Sequence, residues 1–192
     1  DAITTGNTNT ALGYGSLGAD TLGDRAVAIG ALALSSQNFT TSVDNHNIGI
    51  GNLAGGSIST GIQNTIVGGL AGDALTDADY NTSVGYNSLT TDTQGSKSTA
   101  VGYQALTTQN FSTATDSHNT AVGFNAGASI TTAIYNTTIG SRCGDALTVG
   151  NQNVAVGADS LTADTKGDRN TAVGYNTLAD QNFTTSTDSY NT

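Results

Sequence analysis

The chain has 192 residues, with 25 glycines and no proline, methionine or tryptophan, and only 10 % of it is charged, against about 25 % in an average globular domain. Fifteen acids against five bases give a net charge of −10, which argues against nucleic acid or an anionic membrane surface as a partner, since both need a basic stripe. No apolar run approaches the roughly 20 residues of a membrane helix, so no membrane insertion is expected, and Cys143, the lone cysteine, has neither a disulfide partner nor metal-ligand spacing around it.

Short β-strands are predicted at ten places, each closing on a glycine. In chain order these are Gly13, Gly30, Gly51, Gly68, Gly85, Gly102, Gly123, Gly140, Gly157 and Gly174, with successive spacings of 17, 21, 17, 17, 17, 21, 17, 17 and 17. The spacings define a super-repeat of 72 residues, dividing one repeat region, 1–192, into units 1–72, 73–144 and a partial 145–192. Identity supports the division. Asp1-Ala2-Ile3-Thr4 returns as Asp73-Ala74-Leu75-Thr76 and Asp145-Ala146-Leu147-Thr148, and Gln37-Asn38-Phe39-Thr40 returns at Gln109 and Gln181. The chain reads as a segment of a longer or processed protein.

The residue before each glycine is Leu12, Ile29, Ile50, Val67, Val84, Val101, Val122, Ile139, Val156 or Val173. Nine of these ten are β-branched, which is strand composition. This column is predicted to be buried. The residue two before is mostly small, as in Ala28, Ala100 and Ala121, with Ile66 and Thr138 larger; alternation along a strand points it the other way, toward a neighbouring coil. Tyr14, Tyr86, Tyr103, Phe124 and Tyr175, just after the glycines, would seal that seam. Four residues after the glycine, two leucines alternate with two glycines (Leu89, Leu106, Gly127, Gly144), so two fuller coils should be followed by two slimmer ones. No i, i+3, i+4, i+7 stripe supports a helix. The pattern predicts an all-β fold, a parallel β-solenoid of about ten coils, stacked about 4.8 Å apart. Asn9, Asn47, Asn64, Asn81, Asn119, Asn136, Asn153 and Asn170 share a column and should form an amide ladder along the axis. The four extra residues of the longer coils should bulge outward at 38–45, 110–117 and 182–189, because loops tolerate insertion and ladders do not.

Arg25-Ala26-Val27-Ala28-Ile29-Gly30 resembles the head repeats of YadA-like trimeric autotransporter adhesins, and the Asn-Thr-Ala-Val-Gly-Tyr form, as in Asn170 to Tyr175, is also similar to repeats of bacterial and phage tail-fibre-like proteins. The resemblance covers essentially the whole chain. It implies a left-handed β-roll assembled as a trimer, although the coils here are longer and carry a regular four-residue insertion.

Each candidate for chemistry has a plainer reading. Cys143 replaces Ser16, Ala33 or Ala54 in a column of small residues, and is read as packing. His46 and His118 follow Asp44 and Asp116 by two residues, a pairing open to a metal site or general base, but Tyr190 stands at the third equivalent place, so an exposed loop is expected. A three-fold bundle would bring three such loops together. Asp20, Asp92 and Asp164 recur once per 72 residues, without the Gly-Gly-x-Gly-x-Asp pattern of calcium-binding repeats, and are read as solvated surface. Arg25, Lys97 and Arg169 lie about 19 Å apart at that strand spacing, too far for a basic cluster. Asn38, Asn81, Asn110, Asn136 and Asn182 open Asn-x-Ser/Thr sequons. A Thr-x-Thr array for ice binding is not present.

No enzyme, cofactor or metal is therefore expected. The reading is a structural extracellular fibre, an adhesin shaft or head at the cell surface, forming a homo-oligomer, most simply a trimer, and meeting a host-surface receptor or glycan. The alternatives are a phage tail-fibre shaft on a virion and a self-assembling extracellular filament.

Overall fold

A computed structural model describes residues 6–192; the match of Asp1-Ala2-Ile3-Thr4 to later units lies outside the described residues. Every regular element in it is a β-strand, and the described residues contain no helix. Ten three-residue strands, from Thr10–Leu12 to Thr171–Val173, form one parallel sheet in which each strand pairs with the strand of the next turn. The pairing follows the sequence spacing: Thr65 lies opposite Thr82, and Thr99 opposite Thr120. The fold is a parallel β-solenoid whose main sheet runs along its whole length.

Glycine closes each strand because two backbones meet there. Gly102 has φ +139°, and a Cβ on it would lie 2.2 Å from the carbonyl oxygen of Gly123. No L side chain fits such an approach. The strand then continues the ladder through its amides: Gly102 N donates to Val84 O, and Thr99 N donates to Asn119 O.

The strands face the opposite way from the sequence-based expectation. The small column is inside: Ala28, Ile66, Ala100, Ala121, Thr138 and Ala155 are fully buried. The Val/Ile column is outside, half-buried at Val84, Val101 and Val122 and more open at Ile139, 38 % exposed, and Val173, 64 % exposed. The physical reason is the thinness of the coil. The far wall already delivers leucine into the interior, so the strand can contribute little volume. A Cβ on Gly49 would sit 2.8 Å from Leu34 Cγ. Ile66 and Thr138 are accommodated where the facing residues are Gly72 and Gly144: a Cβ on Gly72 would come 3.1 Å from Ile66 Cδ1, and one on Gly144 would come 2.7 Å from Thr138 Cγ2.

The expected slimmer coils are also corrected. Where the wall column changes from leucine to glycine, the residue three further on becomes the filler. Ile58, Leu75, Ile130 and Leu147 are fully buried, and a Cβ on Gly55 would stand 2.9 Å from Ile58 Cδ1. Filling moves from one place on the wall to another, and the core stays continuous.

The asparagine column is buried from Asn47 to Asn170, but its bonds run through the backbone rather than chiefly from amide to amide. Asn64 N donates to Asn47 Oδ1 at 2.9 Å, and Asn81 N donates to Asn64 Oδ1 at 2.9 Å. Asn64 Nδ2 in turn donates to Ala78 O at 2.8 Å. Each side chain thus joins two consecutive turns and satisfies backbone groups that would otherwise be orphaned in the interior.

In the longer coils, Thr40, Thr41 and Ser42 are exposed, as are Ser112, Thr113 and Ala114. Asn45 and Ser117, fully buried, and Phe39 and Phe111, at 5 % and 6 % exposure, are the exceptions. The two rings lie over Gly23 and Gly95, where a Cβ would meet the ring edge at 2.8 Å.

Candidate functional site

The corner that leads into each strand carries an outward-facing residue in the left-handed region. Tyr80, Lys97, His118, Tyr135, Gln152, Arg169 and Tyr190 all have φ between 50° and 62° and all are exposed. Because one residue comes from each turn, these side chains stack along the axis at the strand spacing, about 4.8 Å. The His118 ring stacks on Tyr135, with centroids 5.1 Å apart and planes 8° from parallel. Arg169 Nε donates to Gln152 Oε1 at 2.9 Å, its NH1 donates to Tyr190 OH at 2.9 Å, and its guanidinium lies 5.4 Å from the Tyr190 ring centroid.

Beside this ladder is an open hollow of about 240 Å³, lined by Ile134, Tyr135, Asn151, Gln152, Asp168, Arg169 and Asp188. Asp188 pairs with Arg169, and this contact, first among its causes, raises the Arg169 pKa further above its ordinary value. Asp168 accepts from Asn151 N at 2.6 Å and from the Ser186 hydroxyl at 2.7 Å.

The histidine–aspartate pairing suggested by the sequence does not form. Asp44 binds Arg25 and Asp116 binds Lys97, and the hydrogen bond that Lys97 donates to Asp116 is the largest cause raising the Lys97 pKa. The cations of the 72-residue series therefore clip the end of each insertion onto the preceding turn. Such solvent-screened pairs contribute little each. Among the described residues no group of three or more His, Cys, Asp or Glu is placed to hold a metal ion, and no helix is long and apolar enough to cross a membrane.

Asp20, Asp92 and Asp164 are fully buried, which overturns their reading as solvated surface. Asp92 Oδ1 accepts from Gly95 N and Phe111 N, each at 3.0 Å, and its Oδ2 accepts from Gln109 Nε2 at 2.6 Å. Gln109 Oε1 accepts from Asn119 Nδ2 at 2.8 Å. Asp20 repeats the pattern with Gly23 and Gln37, and Asp164 with Gly167, Phe183 and Gln181. The carboxyl thus grips the second residue of the bulge, while the glutamine grips the asparagine that resumes the ladder after it. The signal was present in the sequence. The column that reads Ile58, Leu75, Ile130 and Leu147 also contains Asp20, Gln37, Asp92 and Gln109, so its polar members share the interior.

Cys143 is buried. Its sulfur lies 2.9 Å from Ala155 O and 3.1 Å from Ser160 Oγ, and burial pushes the thiol pKa up. A low thiolate fraction makes it unreactive. The sequons divide. Asn81 and Asn136 are buried ladder members whose Nδ2 groups donate to Gly95 O and Gly150 O, both at 2.9 Å. Asn38, Asn110 and Asn182 are exposed at the insertions.

No protein-family profile, curated protein or solved structure matches this chain.

Proposed function

We propose that the chain is the shaft or head of a structural extracellular fibre, assembled as a three-fold bundle of parallel left-handed β-rolls, which mediates surface attachment and is not an enzyme. The 72-residue unit is its building module, and the likeness of its strand motif to YadA-like head repeats supports the reading. The observation that carries it is the uncovered apolar face. Leu12, Ile50, Ile139 and Val173 are exposed, and the two outward columns of the main sheet contain Thr, Val, Ile and Leu without one charge. Along its margin, Tyr86, Tyr103 and Phe124 stack at centroid distances of 5.9 and 5.4 Å. A contiguous apolar stripe of this kind marks an interaction surface, and one such stripe on every copy can be enclosed around a three-fold axis.

Sedimentation velocity on the isolated chain tests the assembly. A trimer is expected, reduced to monomer by Val84→Asp with Val101→Asp and Val122→Asp. A stable, folded, non-aggregating wild-type monomer would sink the oligomeric reading. Adhesion of beads coated with the assembled chain to cells tests attachment separately.

A further inference from the structure

We propose that the corner hollow beside Tyr135, Gln152 and Arg169 binds a neutral sugar residue of a glycan chain. The inference deepens the attachment reading above and rests on it for its biological sense, but the chemistry stands on the hollow itself. Three features of the hollow select the ligand class.

The first is the aromatic surface. Tyr135 is 50 % exposed and is held flat by the His118 ring stacked on it. A half-exposed ring fixed in orientation offers an apolar platform with a polar hydroxyl at its edge, which suits the C–H face of a pyranose.

The second is the mixture of donors and acceptors. Gln152 gives its carbonyl oxygen to Arg169 and keeps its NH2 for a ligand. Asn151 uses its Oδ1 on Ile134 N at 2.8 Å and likewise keeps its NH2. Tyr135 supplies a hydroxyl, and the Asp188 carboxylate has acceptor sites beyond its pairing with Arg169. Sugar hydroxyls both donate and accept, so they can use all of these groups together.

The third is charge. A phosphate or carboxylate ligand would meet Asp168 and Asp188, while an ammonium ligand would meet Arg169; the one cation is already paired with Asp188. A neutral polyhydroxylated ring incurs neither repulsion. At the positions 72 residues earlier, tyrosine and glutamine exchange places as Gln63 and Tyr80, and Lys97 stands where Arg169 does. Lysine lacks the planar fork of arginine, so weaker binding is expected there.

The test is saturation-transfer NMR on the wild-type chain with cellohexaose, mannohexaose and chitohexaose as neutral probes and a hyaluronan hexasaccharide as the acidic one. Transfer to at least one neutral probe is expected, with affinity falling tenfold or more in Tyr135→Ala and Gln152→Ala and unchanged in Thr113→Ala at an exposed insertion. Arg169→Lys keeps the charge while removing the fork, and should also weaken binding. Three results would each overturn the proposal: no binding of any neutral probe, preference for hyaluronan, or full binding by Tyr135→Ala. It is overturned too if Tyr135→Ala changes the sedimentation of the chain, since the ladder is then a contact between copies. A chain that assembles and attaches to cells yet binds no sugar rejects this inference alone. A monomer that still binds sugar rejects the fibre reading alone.

Discussion

Two kinds of turn alternate in pairs along this solenoid. In one kind, represented by Leu89 with Asp92 and Leu106 with Gln109, leucine fills the core and a polar residue follows three positions later. In the other, represented by Gly127 with Ile130 and Gly144 with Leu147, glycine stands in the leucine's place and the filler follows. All of these leucines and isoleucines are fully buried. The backbone barely notices the exchange: Leu106 has φ 50° and Gly127 has φ 57°. Leucine therefore accepts a left-handed conformation that costs roughly 1–2 kcal/mol, because its side chain from that corner fills the coil. What differs is the room left over. The first kind of turn leaves space for a buried carboxyl and a buried amide, and it is there that the four-residue insertion is held.

Removing the carboxyl should expose this difference most sharply. Asp92→Ala leaves Gly95 N and Phe111 N without their acceptor and leaves Gln109 Nε2 with Ser98 Oγ alone. Each buried donor so orphaned costs about 1–3 kcal/mol, and we expect a total loss on the order of 3–5 kcal/mol by denaturant unfolding. Amides of 110–119 should lose hydrogen-exchange protection before the rest. Asp92→Asn, which keeps an oxygen acceptor for Gly95 N and Phe111 N, should cost less than Asp92→Ala. If Asp92→Ala unfolds with wild-type stability, the buried staple does not hold the insertion.

Turning one kind of turn partly into the other comes next in size. Gly127→Leu places a side chain where a Cβ already comes 2.9 Å from Ile130 Cδ1 and 3.1 Å from Leu106 Cδ2. Overpacking of this sort costs about 1–3 kcal/mol. Adding Ile130→Ala should recover much of the loss, since the new leucine then takes the vacated volume. A double variant less stable than either single one would show that the two fillers are not interchangeable.

This alternation also explains what could be read from the sequence. Spacing alone specifies the strand register, because each glycine marks a backbone contact that no other residue tolerates, and the paired residues follow the 17- and 21-residue steps. The face of each strand was not legible in the same way. Val101 and Ala100 both suit a strand, and the rule that the larger apolar residue is buried fails when the coil is too thin to hold it. Leu89 and Leu106 decide the matter from the opposite wall. Asp92 was misread because a carboxylate suggests solvent, whereas its column, shared with Ile130 and Leu147, is interior. The corner ladder was missed for another reason. Tyr80, His118, Tyr135 and Arg169 share no chemistry, only a position, and the conformation that turns them outward is a property of the fold.

A smaller effect should come from making the first insertion resemble the second. Ser117 Oγ lies 2.5 Å from Ser98 Oγ, and Ser189 Oγ donates to Asn170 Oδ1 at 2.6 Å. At the first insertion the corresponding residues are Asn45 and Ala26, and alanine offers no acceptor. Asn45 Nδ2 is buried without a partner. Ala26→Ser supplies a hydroxyl at that place, and we expect a gain of about 1 kcal/mol, read as a higher denaturant midpoint with an unchanged slope. Asn45→Ser in the wild-type background should not gain, since it removes the orphaned amide together with the Oδ1 that accepts from Asn47 N at 2.9 Å.

The smallest effect separates the two kinds of turn by pH. Asp145 lies in a turn of the second kind, between Gly144 and Leu147, where burial, the largest cause, raises its pKa. Asp24, packed against the first insertion, is supplied with donors instead: the Ser42 hydroxyl, the larger cause, and then Asn7 N hold its carboxyl below the usual range. The signs are opposite. A raised carboxyl binds its proton more readily in the folded chain, so Asp145 opposes folding above its folded pKa, and that opposition disappears as pH falls toward the ordinary carboxylate value. A lowered carboxyl contributes stability above its unfolded value and loses it as pH falls through the folded one. Asp145→Asn should therefore stabilise slightly at neutral pH, within the roughly 0.5 kcal/mol usual for surface substitutions, and the difference from wild type should vanish near pH 4. Asp24→Asn should destabilise at neutral pH and converge with wild type only in stronger acid. Urea midpoints for the two variants between pH 3 and pH 7 measure both curves. If the two curves bend the same way, donor supply is not what separates an acid of the glycine-type turn from one held against an insertion.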